Sequence, residues 1–336
     1  MSVMRFDEAT SDWVVFAPSR RLRPHANAAL QSRPSESASL ASCPFCPGNE
    51  AFTPPEIYAV RDSGAWRVRV VPNKFPALTI EDTPHRRHDD QAFQFMGGCG
   101  AHEVIIESPD HSLFLGQQPI EQVVLLLRTL QQRYRDLMRD SRFQTVVIFK
   151  NHGAEAGTSL AHPHWQLLAT PVVPRLLRMK HFEASEFYDR TGQCLYCDIV
   201  RRELEAKSRV LAQNEHYVAF LPFAGHAPFE TWIAPRLHQA SFQLVPAEHF
   251  TCLAAILKSV LLKLHTALGN PAFNLTIDDV PRGDEGKEYF LWHMRILPRL
   301  TTPAGFELGS GMSINTVLPE DAAKFLSEAS TVEEVG

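Results

Sequence analysis

No run of about 18 uninterrupted apolar residues occurs in the 336-residue chain, so nothing in it reads as a membrane span. The most apolar helix candidate, Phe250–Leu268, is broken by Lys258 and Lys263 and carries His265. A surplus of positive charge is missing too. The balance of 33 Lys plus Arg against 38 Asp plus Glu gives a formal charge of -5, which leaves no sequence-wide field to attract a nucleic-acid backbone. Any anionic ligand must be held by local groups. The opening MSVMRFDEATSDWVVF lacks the basic end and apolar run of a signal peptide and has Asp7, Glu8 and Asp12 instead, so no export is implied and a cytoplasmic protein is expected. Cysteine is sparse, six in all. Four of these form two Cys-x-x-Cys pairs, Cys43/Cys46 and Cys194/Cys197, a pattern that outside an oxidising compartment favours metal ligation or redox chemistry over structural disulfides. Cys99 and Cys252 stand apart. With 44% apolar and 21% charged residues, collagen-like, low-complexity and wholly disordered chains are excluded.

What is present is a long succession of elements. β-Branched or alternating stretches predict strands at 66–73, 102–108, 143–151, 164–170, 217–223, 229–234, 273–277 and 289–297. Two long amphipathic helices lie between them. One starts at Pro119 and repeats Val123, Val124, Leu127 and Leu130; the other starts at Pro246 and repeats Phe250, Leu253, Leu257, Val260, Leu261 and Leu264. The Ser/Ala-rich residues 27–42 and the tail TVEEVG read as loose segments. Both halves run through a Cys pair, strands, a strand leading to His, a helix, a strand and a His-bearing strand, which is the signature of an internal repeat. Eight positions separate His111 from Pro119, and eight separate His238 from Pro246. From second Cys to that His the spacing is 65 in the first half and 41 in the second, which implies an insertion in the first.

The densest chemistry lies in NHGAEAGTSLAHPHWQLLAT. His162, His164 and Gln166 alternate, so on a strand their side chains share one face. A solvated strand rarely calls for two imidazoles and an amide in strict alternation. The preceding loop, with Gly153, Gly157, Thr158 and Ser159, has the backbone N–H and hydroxyl donors that suit a phosphate. Elsewhere there is no G-x-x-x-x-G-K-[ST], the glycines at 97–100 do not follow a dinucleotide-binding spacing, and His102-Glu103 lacks a zincin's second His. The acidic group Asp278, Asp279, Asp284 and Glu285 reads as a solvated loop, and His216, His226 and His249 as ordinary surface or core residues.

CPFCPGNE at 43–50, VRVVPNKFPAL at 68–78, HEVIIESPDH at 102–111 and HPHWQ at 162–166 together resemble the galactose-1-phosphate uridylyltransferase family of the histidine-triad superfamily, from about residue 13 to residue 325. The resemblance implies an α+β fold of two histidine-triad-like halves, 1–175 and 176–336, each an antiparallel sheet with a long helix. It implies a hexose-1-phosphate nucleotidylyltransferase working by ping-pong through a covalent nucleotidyl-histidine. UDP-glucose as donor and galactose 1-phosphate as acceptor lead. An ADP-glucose phosphorylase or adenylyltransferase of the same superfamily is the alternative, and a zinc-stapled binding module without turnover is the alternative of another class. Gln166 in place of a third His favours transferase over hydrolase. A neutral imidazole is nucleophile enough to displace a sugar phosphate without a separate base. His164 is therefore expected to attack phosphorus, with Gln166 donating to a phosphoryl oxygen.

By matching motif, phosphate and nucleotide contacts fall on Arg20, Arg23, Asn73, Phe75, Asn151, Gly157 and Ser159, and sugar contacts on Phe306 and Glu307 of GFELGSGMSIN. Cys43, Cys46, His111 and His162 would form a closed, structural Cys2His2 zinc site; a redox pair is the rival for CPFC. Cys194, Cys197, His238 and His293 would form a second. The family's dimeric habit implies a homodimer. The chain departs from the family pattern at Trp165, where Gly is common, at Thr158, where Cys is common, and at Leu291, where a His often stands.

Overall fold

The computed structural model describes residues 2–18 and 42–330. Arg20, Arg23, residues 27–41 and the tail TVEEVG lie outside the described residues. The chain opens with a hairpin of β1 (Val3–Asp7) and β2 (Asp12–Phe16), followed by β3 (Tyr58–Asp62) and β4 (Ala65–Pro72). A small ribbon, β5 (Arg87–His88) and β6 (Gln94–Phe95), precedes β7 (Ala101–Ile106), α1 (Ile120–Leu137), β8 (Thr145–His152) and β9 (His164–Thr170). Next come α2 (Arg175–Thr191), α3 (Leu195–Ala206), β10 (Val210–Gln213), β11 (Tyr217–Phe220) and β12 (Thr231–Pro235). The chain continues with α4 (Phe250–Leu268), β13 (Phe273–Asp278), β14 (His293–Pro298), α5 (Gly305–Ser310), β15 (Ile314–Asn315) and α6 (Pro319–Ser330). Every strand expected from the alternation holds a strand. The largest shift is at β14, which begins at His293 rather than 289 because Phe290, Leu291 and Trp292 are all buried in a non-repetitive approach.

Ten strands form one antiparallel sheet in the order β10-β11-β12-β14-β13-β8-β9-β7-β4-β3. Its middle is the β8–β13 pair, which runs from Phe273 opposite His152 to Ile277 opposite Ile148. Outward from that seam both halves have the same succession, β8-β9-β7-β4-β3 on one side and β13-β14-β12-β11-β10 on the other, with α1 following β7 and α4 following β12. The helices close over the sheet because each has one apolar stripe. Val123, Leu126, Leu127 and Leu130 of α1 and Leu253, Leu257, Val260, Leu261 and Leu264 of α4 are fully buried in a core that reaches from Val68 in β4 to Ile296 in β14. Each such side chain contributes about 2 kcal/mol of burial. Residues Ala247–Leu268 are long and apolar enough to cross a membrane by composition, yet the apolar stripe of α4 packs into this core. Lys258, on that helix, donates to the carbonyls of Gly116 and Gln118.

The acidic group that begins at the end of β13 departs from expectation. Asp278 and Asp279 are buried, not solvated. Asp278 is ion-paired with Lys180 of α2 and lies 3.8 Å from Arg295; Asp279 accepts from the Phe242 and Val280 amides and the Ser241 hydroxyl.

Candidate active site and metal centre

The loop from 153 to 163 and the start of β9 are set by local chemistry. Gly153 (φ 82°) opens a single tight turn, Ala154–Ala156, and Gly157 (φ 86°) closes it. A Cβ on Gly153 would also lie 2.7 Å from that of Ala272, so both conformation and space require glycine there. Alternation along β9 then puts Trp165 into the core, fully buried, while His164 and Gln166 line a cavity of about 570 Å³ on the opposite face. Phe45, Phe52, Val104, Leu160, Asn73, Phe75 and Ser159 line it too. Phe52 and Phe75 present rings that are 54% and 83% exposed, an aromatic surface open to a flat ligand.

The tautomer of His164 follows from its partners. Its Nδ1 lies 2.8 Å from the His162 carbonyl; a carbonyl only accepts, so Nδ1 carries the proton and Nε2 the lone pair. Burial, joined by the charge of Lys150, pushes its pKa down to about 4, so the imidazole is neutral at pH 7. Lys150 is buried, paired with Glu107 at 2.9 Å, and its ammonium lies 3.4 Å from the His164 carbonyl. Phe45 packs edge-on against the His164 ring, with 5.3 Å between centroids.

Beside this cavity Cys43, Cys46, His111 and His162 converge, their ligand atoms all within 4.8 Å of one another. His162 Nε2 donates to the Ser108 carbonyl at 2.8 Å, so Nδ1 turns its lone pair to the sulfurs, 3.7 Å from Cys43 and 3.6 Å from Cys46. His111 Nδ1 is 3.3 Å from Cys46 Sγ. Ligand separations in a tetrahedral zinc site are about 3.3 to 3.8 Å, given Zn–S near 2.3 Å and Zn–N near 2.0 Å. The residues fit the metal. Burial and neighbouring Cys43 push the Cys46 thiol up to about 11, so the thiolate form that zinc would take is disfavoured unless a cation stands beside it. Asp110 holds the turn carrying His111 by accepting from Ser112 and Leu113.

The second cluster is smaller. Cys194, Cys197 and His238 converge within the same limit, with Cys197 Sγ 3.4 Å from His238 Nδ1 and His238 Nε2 3.3 Å from the Lys287 carbonyl. His293 does not join them, contrary to expectation. It opens β14 as His164 opens β9, and its Nδ1 likewise faces the carbonyl two residues back, Leu291 at 3.0 Å. Its place corresponds to the nucleophile position, and Leu291 takes the place of His162. The Nε2 of His293 faces Asp278 at 3.5 Å, and the ring stacks on Trp232 with 4.5 Å between centroids.

Other candidates fall in different places. Asn73, Phe75 and Ser159 reach the cavity, whereas Asn151 and Gly157 do not line it. The Asn151 amide oxygen accepts from Asn274 across the seam at 2.9 Å. Phe306 and Glu307 also stand apart from the cavity; Glu307 accepts from the Ala304 and Ile314 amides and so shapes α5 and β15. Arg20 and Arg23 lie outside the described residues. Sequence patterning passes over Phe45, Phe52, Lys150, Asn274 and His102. The one signal available for Lys150 is a lysine inside an otherwise apolar strand.

A neutral imidazole and an amide thus line a cavity beside a Cys2His2 cluster, and the chain's family and relatives make it a nucleotidyltransferase. Residues 1–174 match the galactose-1-phosphate uridyl transferase N-terminal domain, and the chain belongs to that family. It is 33% identical over 331 residues to the ADP-glucose phosphorylase of Arabidopsis thaliana, covering 97% of this chain and 93% of the relative. To the galactose-1-phosphate uridylyltransferase of Thermotoga maritima it is 27% identical, covering 98% of each. The crystal structure of the Arabidopsis thaliana ADP-glucose phosphorylase with bound ADP-glucose superposes with a TM-score of 0.83 at 31% identity, covering 98% of this chain and 99% of that one. Relatives of both kinds support hexose-1-phosphate nucleotidyl transfer as the reaction class.

Proposed function

We propose that the chain moves the nucleotidyl group of a nucleoside diphosphate hexose to a phosphate-bearing acceptor through a covalent intermediate on His164. The observation that carries this is the His162 carbonyl on His164 Nδ1, which leaves the Nε2 lone pair of a buried, neutral imidazole for the cavity. Nε2 attacks the α-phosphorus. The P–N bond forms as the P–O bond to the hexose phosphate breaks, and the electron pair leaves on that phosphate oxygen. An acceptor phosphate oxygen then attacks the same phosphorus, and the P–N pair returns to Nε2. No proton need move in either step, so in-line positioning and charge stabilisation supply the rate. The Gln166 amide donates to a non-bridging oxygen. Phe52 and Phe75 flank the base, while Asn73 and Ser159 hold the ribose and phosphates. Cys43, Cys46, His111 and His162 would hold a zinc ion, which when bound ties the CPFC loop to the start of β9.

Adenine is the favoured base and inorganic phosphate the favoured acceptor, since identity and superposition are both high for the Arabidopsis thaliana ADP-glucose phosphorylase. UDP-glucose with galactose 1-phosphate is the second reading, supported by the family match over residues 1–174. In this scheme residues 1–175 carry the chemistry, residues 176–336 a lesser metal site on Cys194, Cys197 and His238, and the enzyme works as a cytoplasmic homodimer. Intact-protein mass spectrometry after exposure to ADP-glucose or UDP-glucose tests it, because the mass gained names the nucleotide. His164→Ala should form no adduct and lose on the order of 10⁴ in turnover. An active His164→Ala enzyme, or sequential instead of ping-pong kinetics, would overturn it.

A further inference from the structure

We infer that His102 is a positioning residue that fixes which end of the Gln166 amide faces the reacting phosphorus. The inference rests on Gln166 being the phosphoryl donor. His102 lies on β7, diagonal to Gln166 across the β7–β9 pair, where Val104 is directly opposite Gln166. Its Nδ1 lies 3.2 Å from the Ala77 backbone nitrogen. A backbone N–H only donates, so Nδ1 holds the lone pair and the ring proton sits on Nε2. That Nε2 is 2.8 Å from Gln166 Oε1 and donates to it. Asn73 stands beside this contact without joining it: its Oδ1 accepts from the Phe75 amide at 2.9 Å, and its NH2, 3.2 Å from Nε2, faces a protonated nitrogen and makes no hydrogen bond to the ring. The Nε2–H of His102 is satisfied by the carbonyl end of Gln166.

A flipped Gln166 would set N–H against N–H at His102 and turn its oxygen toward the anionic phosphoryl group. The order of control runs from the Ala77 N–H to the His102 tautomer, and from that tautomer to the Gln166 orientation. An unconstrained Gln166 samples both orientations, and only one stabilises charge developing on phosphorus.

A double-mutant cycle tests this, reading the single-turnover rate of adduct formation on His164 and the apparent substrate affinity for His102→Ala, Gln166→Ala and the double variant. Loss of one oriented donor costs on the order of 100-fold in the chemical step. His102→Ala should lose roughly 10- to 100-fold in that rate with little change in affinity, and adding it to Gln166→Ala should cost almost nothing more. His102→Gln, which keeps an N–H donor, should recover most of the loss. His102→Phe keeps the ring volume without the donor and supplies the same arm if His102→Ala fails to fold. Losses that multiply in the double variant, or a His102→Phe enzyme as fast as the parent, would overturn the inference. A near-silent Gln166→Ala would instead remove the role given to Gln166 itself, a separate outcome.

Discussion

Replacing Asp278 with Asn is a severe perturbation that should leave the chemistry alone. Asp278 pairs with Lys180, lies 3.8 Å from Arg295 and faces His293 Nε2 at 3.5 Å. Burial alone would raise its pKa, but the charges of Lys180 and Arg295 and the His293 hydrogen bond hold it well below the ordinary carboxylate range. The Lys180 side chain is 1% exposed, so removing its counter-ion strands a cation that water cannot reach, while Arg295 keeps Glu230 at 2.9 Å. Breaking one side of such a pair costs about 3–5 kcal/mol. Unfolding entropy near 2.1 cal/mol/K per residue gives about 0.7 kcal/mol/K for a chain of this length, so the melting temperature should fall by about 4–7 °C. Adduct formation at His164, measured well below melting, should be unchanged. Adding Lys180→Met to Asp278→Asn should restore much of the loss, because the stranded charge is gone. A fall of less than about 1 °C, or no recovery in the double variant, would refute the electrostatic account.

Two further outcomes separate the metal clusters and the terminal hairpin. Cys46→Ser should lower metal content, melting temperature and adduct formation together, since His162, in the same cluster, stands two residues from His164; Cys197→Ser should lower metal content and melting temperature but spare adduct formation at low temperature, as metal analysis beside single-turnover rates will show. Asp7 and His226 form a half-buried pair at 2.8 Å. Burial opposes the charge on each, but the mutual hydrogen bond and attraction depress the Asp7 pKa, and Asp7 with Glu230 raises that of His226. The Asp7 contribution is present above about pH 4 and lost as pH falls through its lowered folded pKa; the His226 contribution is present below about pH 6.5 and lost as pH rises through its raised folded pKa. The melting-temperature gap between the parent and Asp7→Asn should therefore be widest between about pH 4 and 6.5, and a gap that is flat from pH 3 to 9 contradicts the pairing.

Strand alternation and the apolar stripes of α1 and α4 announce most of the large sheet and its covering, because burial on one face writes a period into the sequence. The HPHWQ stretch likewise announces its own geometry, since β9 turns His164 and Gln166 to one side and Trp165 to the other. The helices α2 and α3 escape notice because their faces are mixed with charge: α2 buries Lys180 and His181 beside Ala184. The acidic group misleads for the same reason. Whether Asp278 is solvated depends on Lys180, 98 positions away, and nothing local to Asp278 records that partner. His293 misleads through register. One imidazole in LWHMR is compatible with the His162 place or the His164 place, and only the start of β14 decides between them. His102 is silent because its role depends on the Ala77 amide, which carries no side-chain signature.

The β8–β13 seam has a consequence for how the chain reaches its folded state on the ribosome. The strand β8, TVVIFKNH, gains one neighbour almost at once from β9, but its other partner is made roughly 120 residues later. At about 5–20 residues per second that edge waits some 6–24 s with its backbone N–H and C=O groups unmatched. It has an apolar run, Val146 to Phe149, carries a single lysine, and lacks the proline or bulge that usually blunts an exposed strand. Nascent chains stalled between residues 170 and 270 should thus be the aggregation-prone species, and the ones most in need of a chaperone's cover.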